Sequence, residues 1–402
     1  MDLPAFRLLL TPSGQEVLQA ALDLQPQEGD FLRHFTTLSR RYPPELARAA
    51  LETAILRGEA VHKFPAAAQL YFTRQALEQA SSHAVSVYRS ERFRAFHGLV
   101  DLGCSIGGDT LALAVHAPTL GLDIDPLRLA MAQTNARLLD LGDRTTFVQA
   151  DLIAPLPLKL SSVFGLFFDP ARRTAGRRVF SVQDYLPRLA VVEDWLPHSP
   201  ALAVKISPGV KLAELQAYDA EVEFISLRGE LKEAVLWFGP LKTAYRRATL
   251  LPGPHTLSSS VPPAASSLPL SEPQAYLYEP DPSILRAGLV ETLGLRLGAG
   301  QLDPDIAYLT ANQLASTPFA RAWAVEDWFP FGLKRLRAAL RQRGVERVVV
   351  KKRGSPIQPE DLIRELRLSG GGGPGSVERT VFLTHLRGRP IVILSTGEVS
   401  TG

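Results

Sequence analysis

The chain has 402 residues, 46% hydrophobic and 21% charged, enough apolar material for about two to four packed domains and too much for a disordered chain. Its formal net charge of +3 does not by itself announce a polyanion partner, and its single cysteine, Cys104, excludes a disulfide framework and a clustered-thiol zinc site and argues against cysteine-based base methylation. Asp2 and Arg7 interrupt any signal-like apolar start, and no apolar run reaches membrane-spanning length, so a cytoplasmic protein with no membrane and no metal partner is expected.

The first ninety or so residues read as helices punctuated by proline. Leu46, Ala49, Ala50, Ala54 and Ile55 recur at helical spacing behind Pro43-Pro44. From Leu99 the rhythm changes to short apolar strands alternating with helical stretches, the pattern of a parallel sheet flanked by helices. Strands are expected at Leu99–Asp101, Thr119–Asp123, Thr146–Ala150, Val163–Phe168, Ala201–Ile206, Glu221–Leu227 and Ala234–Phe238. The last two are separated by Arg228–Glu233, too short for a helical crossover, so they should pair antiparallel. Pro and Ser crowd Leu251–Pro273, which reads as a linker or exposed excursion, and a separate module follows from Gln274 to Phe331. The last stretch opens with a basic amphipathic helix, Leu333, Leu336 and Leu340 opposing Lys334, Arg337 and Arg341. A strand at Arg347–Val350, a glycine loop at Gly370–Gly375 and strands near Thr380–Leu386 and Pro390–Leu394 complete it. Between Lys334 and Arg353 basic residues meet one acid, Glu346. Such a patch can track phosphates, and a solvated helix face would read the same.

The chemistry concentrates after the first strand. Asp101-Leu102-Gly103-Cys104-Ser105-Ile106-Gly107-Gly108-Asp109 is a strand ending in an acid, then a glycine-bearing turn that opens a helix. Gly103 and Gly107 allow a ligand to approach the backbone. An acid ahead of the first glycine repels a pyrophosphate and suits the amino group of a methionine moiety, so S-adenosylmethionine is the expected cofactor rather than a dinucleotide. Asp123, closing the second strand, is placed for the ribose hydroxyls, and Asp151, after the third, for the adenine amino group. The adjoining Ile124 and Leu152 are assigned to the same cofactor. These acids share the carboxyl edge of the sheet, where ligands bind in such folds.

Asp101–Asp109 is similar to the first motif of class I methyltransferases. More narrowly, the chain resembles a bacterial class I S-adenosylmethionine-dependent methyltransferase family with a THUMP-like carboxyl-terminal domain. The resemblance runs over nearly the whole length through Lys63-Phe64-Pro65, Phe72-Thr73-Arg74, Leu77–Ser81, Asp169-Pro170-Ala171-Arg172-Arg173, Tyr276–Pro282 and Lys352-Arg353-Gly354. Ser105 departs from the usual glycine. The resemblance implies an α/β fold with a helical domain over 1–97 and a seven-stranded Rossmann-like methyltransferase sheet over 98–250. After a linker at 251–273 it implies an α+β region, ferredoxin-like over 274–331 and THUMP-like over 332–402. It also implies a structured RNA partner, tRNA or rRNA, with Lys351, Lys352 and Arg353 among the contacts.

Asp169 follows the fourth strand, where such enzymes place the acceptor and where it also borders the cofactor. Pro170, Arg172 and Arg173 beside it are candidate substrate contacts, the arginines as a phosphate clamp. Ala171 replaces a second proline and the base-stacking aromatic is missing, which argues against an adenine amino group. Ribose methyltransferases of this fold use a Lys–Asp–Lys–Glu set, and Lys63, Asp169, Lys205 and Glu233 are the candidates here. A Lys205–Glu233 salt bridge is the plain alternative. Eight scattered histidines show no metal spacing, and no serine elbow appears. A small-molecule methyltransferase with a protein-interaction tail and a noncatalytic RNA-binding protein are the competing readings; oligomeric state stays open.

Overall fold

A computed structural model describes residues 1–171, the backbone of 173–174 and 177–178, and residues 181–262, 268–368 and 376–400. The expected glycine loop at Gly370–Gly375, Arg172 and the Arg173 side chain lie outside the described residues. Contacts divide the chain into two units, Met1–Val222 with Lys232–Thr243, and Glu223–Leu231 with Ala244–Gly402.

Side-chain caps and early prolines start α1 (Leu3–Leu9) behind Asp2 and α2 (Pro12–Asp23) behind Thr11; α3 (Phe31–Leu38) follows, and a proline opens α4 (Pro44–Ala60). Thr73 caps α5 (Arg74–Gln79), and α6 (His83–Ser90) leads into the sheet. The strands and helices that follow are β1 (Gly98–Leu102), α7 (Gly108–Ala114), β2 (Thr119–Asp123), α8 (Pro126–Leu138), β3 (Thr145–Gln149) and β4 (Phe164–Phe168). The short pair β5 (Arg173–Thr174) and β6 (Arg177–Arg178), then α9 (Val192–Trp195), precede β7 (Leu202–Ile206), β8 (Glu221–Leu227) and β9 (Glu230–Trp237).

The helical start is not a domain of its own. Phe6, Leu9, Leu51 and Phe72 share one buried cluster with Ile106 and Met131 of the sheet region. The buried Asn135 amide fixes the join, accepting from the Tyr71 N–H (2.8 Å) and donating to the carbonyls of Tyr71 (3.0 Å) and Ile106 (3.2 Å).

Strands β1 to β4 and β7 run parallel in the order β3-β2-β1-β4-β7, and β9 returns antiparallel to β7. The order reverses between β1 and β4, so their carboxyl ends open the crevice where ligands bind in such sheets. Arg228 and Gly229 both take positive φ, the two-residue turn that joins β8 to β9 as a hairpin.

The sheet has nine strands, not the expected seven: β10 (Arg246–Leu251) and β11 (His255–Ser259) extend it beyond β8. Since β11 pairs antiparallel with β10, the Pro/Ser-rich stretch is strand in part rather than linker.

The second unit contains β12 (Tyr276–Pro280), α10 (Pro282–Ala287), α11 (Val290–Leu297), β13 (Gly300–Asp303), β14 (Ile306–Ala311), β15 (Ala320–Pro330) and α12 (Leu333–Gln342). It ends with β16 (Arg347–Lys352), α13 (Pro359–Leu366), β17 (Glu378–Leu386) and β18 (Arg389–Val399). Its sheet runs β13-β14-β12-β15-β18-β17-β16. Among the described residues its β16–β17 pairing is parallel, and α13 supplies the crossover this requires. Leu336, Leu340, Leu362 and Leu366 from α12 and α13 pack on Phe329, Val381 and Val392. The expected boundary between residues 331 and 332 cuts this sheet, because β15 pairs with β18 along its length.

Candidate active site

The turn after β1 is built from backbone conformations that most side chains resist. Gly103 and Gly107 both sit at φ +88°, and a Cβ on Gly103 would lie 2.7 Å from the Asp169 carbonyl oxygen. Ser105 adopts φ +51°, the left-handed region that explains why glycine is usual at this position. The folded turn aims its N–H groups: those of Gly103 and Cys104 donate to the Leu122 carbonyl at 2.8 and 2.9 Å. The Ser105 N–H donates to Asp123 Oδ2 (2.8 Å) and the Asp125 N–H to Oδ1 (2.9 Å), which pins that carboxylate at the end of β2. Beside it Ile124 is 60% exposed, an apolar side chain left open at the sheet edge. Asp151 is exposed and accepts from the Ile153 N–H at 2.9 Å, with Leu152 half-buried next to it.

Asp101 is 1% exposed. Thr110 donates to its Oδ2 at 2.5 Å, but its Oδ1 is buried with no hydrogen-bond partner. Burial first, then nearby Asp109, holds its carboxyl well above the usual range. A buried acceptor without a donor is costly, and a cationic ligand group would relieve it. Cys104 is buried too, and burial, then Asp101 and Asp123, push its thiol up, so it makes a poor nucleophile.

On the acceptor side, Lys205 is 2% exposed; its Nζ donates to Asp169 Oδ2 at 2.6 Å and to the Gln79 carbonyl at 3.3 Å. The alternative Lys205–Glu233 bridge is therefore replaced by Lys205–Asp169. Glu233 accepts from Ser81 Oγ (2.7 Å) and faces Arg89 Nη1 at 2.9 Å. Lys63 donates to the carbonyls of Leu77 (2.6 Å), Glu78 (3.1 Å) and Ala80 (3.1 Å), closing the end of α5. Burial, then Lys205 and Lys232, lower its pKa. Of the four residues of the expected set Lys205 and Asp169 bond directly, while Lys63, Lys205 and Glu233 each bond to the stretch from Leu77 to Ser81. Pro170 is buried. Arg89 and Ser86 carry no motif, and sequence reading passed over them, whereas Ser81 closes one of the stretches that carry the resemblance.

The chain is 36% identical over 335 residues to an uncharacterised S-adenosylmethionine-dependent methyltransferase of Mycobacterium tuberculosis, covering 80% of this chain and 89% of that protein. This chain belongs to the S-adenosylmethionine-dependent methyltransferases. Its cofactor is S-adenosylmethionine. The family described as THUMP domain-like matches residues 320–396 of the methyltransferase, and a domain of unknown function, DUF8688, matches residues 2–60. A crystal structure of a Porphyromonas gingivalis protein described as a methyltransferase superposes with a TM-score of 0.73 at 22% identity, covering 92% of this chain and 98% of that one, which shows the shared fold. Trimethylguanosine synthase of Schizosaccharomyces pombe is 26% identical over 129 residues, 30% of this chain and 54% of that protein.

In the second unit of the methyltransferase, two stretches named in the sequence meet at Glu279. Lys351 Nζ lies 2.6 Å from Glu279 Oε2 and 4.3 Å from the Trp323 ring centroid. Arg353 lies 3.6 Å from Glu279 Oε1 and 5.2 Å from the Tyr308 ring. Lys352 points outward and donates to Gln358 Oε1 at 2.7 Å. Of the expected trio, two cations are engaged by Glu279 and Lys352 is the open one. Lys334, Arg335 and Arg341 on α12 are also exposed. Among the described residues no helix is long and apolar enough to cross a membrane, and no group of three metal-ligating side chains is found.

Proposed function

We propose that this methyltransferase modifies a structured RNA, tRNA or rRNA, in the cytoplasm, with a base amino group as acceptor. The observation that carries the reading is a THUMP domain-like match joined to a methyltransferase sheet. The name of the Schizosaccharomyces pombe relative, trimethylguanosine synthase, adds to it. Lys334, Arg335, Arg341 and Lys352 are exposed cations placed to track phosphates, while Lys351 and Arg353 brace Glu279.

In this reading Asp101 receives the cofactor's ammonium, Asp123 its ribose hydroxyls, and Ile124, Asp151 and Leu152 surround its adenine. Gly103, Ser105 and Gly107 let the backbone come close. Bound S-adenosylmethionine supplies an electrophilic methyl group. Asp169 orients the acceptor by accepting a hydrogen bond from its N–H, and Lys205 fixes that carboxylate.

The test is incubation of the full chain with tRNA and rRNA and labelled cofactor, followed by digestion to nucleosides. Label on a base is expected. Label on ribose together with a dead Lys205→Ala would move the acceptor to the hydroxyl. No label in any RNA would return the chain to the small-molecule reading.

A pH dependence follows from Asp101. Its raised pKa means the folded, cofactor-free protein holds a proton that the unfolded chain has already lost, so stability falls as pH rises from the ordinary carboxylate value through the folded one. A bound ammonium favours the ionised form, so cofactor affinity should rise over that same window with release of a proton. Calorimetry in buffers of different ionisation enthalpy reads both, and pH-independent affinity with no proton released would take Asp101 out of contact with the cofactor.

A further inference from the structure

Arg89, in the last turn of α6, is 2% exposed and joins elements distant in the chain. Its Nη2 pairs with Asp109 in the first turn of α7, and Ser86 Oγ donates to the same carboxylate oxygen at 2.6 Å. Its Nη1 stands 2.9 Å from Glu233 Oε1 on β9, and its guanidinium lies 4.6 Å from the Phe167 ring centroid. Burial opposes its charge, but Asp109, Glu233, Asp169 and Asp101 more than offset this, and its pKa is raised.

The network is incompletely made. Arg89 Nε and Nη1, Glu233 Oε1 and Asp101 Oδ1 are all buried without an aligned hydrogen bond, so the Arg89–Glu233 contact is an ion pair without hydrogen-bond geometry. Buried polar networks left in that state are held in place weakly and tighten when a ligand completes them.

We infer that Arg89 is a positioning residue that couples the cofactor-bearing turn, through Asp109 on the helix that follows Asp101, to Glu233 on β9. The inference rests on the assignment of Asp101 to the cofactor given above. A change at Glu233 is then felt in cofactor affinity, and through Arg89.

The test is a double-mutant cycle read by calorimetry with S-adenosylmethionine alone: Glu233→Gln in the native background and again with Arg89→Lys, which keeps the charge but loses the fork. Glu233→Gln should change cofactor affinity in the native background, and the two substitutions should depart from additivity by about threefold or more. Additive effects would overturn the coupling. Should Arg89→Lys fail to fold, Asp109→Asn removes the other arm of the network and must show the same departure. No RNA enters this measurement, so it stands whether or not RNA is the acceptor; RNA labelling by the native enzyme beside an additive cycle would refute the coupling alone.

Discussion

Asp169→Asn is expected to lower turnover about 10²- to 10⁴-fold, because a positioned group that orients the acceptor and handles its proton contributes on that scale. The side chain keeps its shape but gives up its charge, and the effect spreads to Lys205. That ammonium is 2% exposed and would keep only neutral acceptors, an amide oxygen and the Gln79 carbonyl at 3.3 Å, at a cost of about 1–3 kcal/mol in stability. The two consequences separate experimentally. Adding Lys205→Met to Asp169→Asn should recover much of the lost stability and none of the lost turnover. Single-turnover rates and thermal melts measure each part. Turnover preserved in Asp169→Asn would remove Asp169 from the acceptor side.

Gly103→Ala should abolish measurable cofactor binding and destabilise the fold by about 2–4 kcal/mol, combining backbone strain with overpacking. At φ +88° an alanine is strained before any neighbour is considered. Its Cβ would also meet the Asp169 carbonyl at 2.7 Å, a backbone atom that cannot swing aside, and the Asp169 N–H is itself bonded to the Leu102 carbonyl at 3.0 Å. The end of β4 must move, and the acceptor carboxylate moves with it. Gly298→Ala is the control: φ there is +60° and nothing lies within 4 Å, so it should cost about 1 kcal/mol of strain alone and leave cofactor affinity unchanged. Calorimetry and melting of the two variants decide it, and cofactor binding of native strength in Gly103→Ala would show that the turn does not face the cofactor.

The turn from Asp101 to Gly107 was legible in the sequence because its chemistry is local: strand, acid, glycine and helix follow within a dozen residues. The run of parallel strands was legible for the same reason, since apolar stretches alternate with helical ones. What escaped were pairings across distance. Lys205 and Glu233 stood out as candidates in the sequence, yet nothing in their neighbourhoods says that Lys205 takes Asp169 while Glu233 takes Arg89 and Ser81. Arg89 itself lies in an unremarkable helix, and its meaning comes from Asp109, 20 residues on, and from Glu233. Composition misled at Leu251–Pro273: Gly253, at φ +98°, makes a turn from which β11 folds back on β10, so a proline- and serine-rich stretch still supplies a strand. The separate module expected up to Phe331 dissolved because β15 finds its partner in β18.

That placement of β18 bears on how the polypeptide matures. In its sheet β18 lies between β15 and β17, so residues 389–399 form an inner strand although they are made after every other strand of that unit. Until they leave the ribosome, β15 has an unfilled side along eleven residues and β17 along nine. Open strand edges of that length are templates for pairing with other chains. Residues 1–222, by contrast, have all emerged well before. Protection of the nascent chain therefore matters most late in synthesis, and a message truncated ahead of residue 389 would yield a protein with a formed cofactor turn and an adhesive edge.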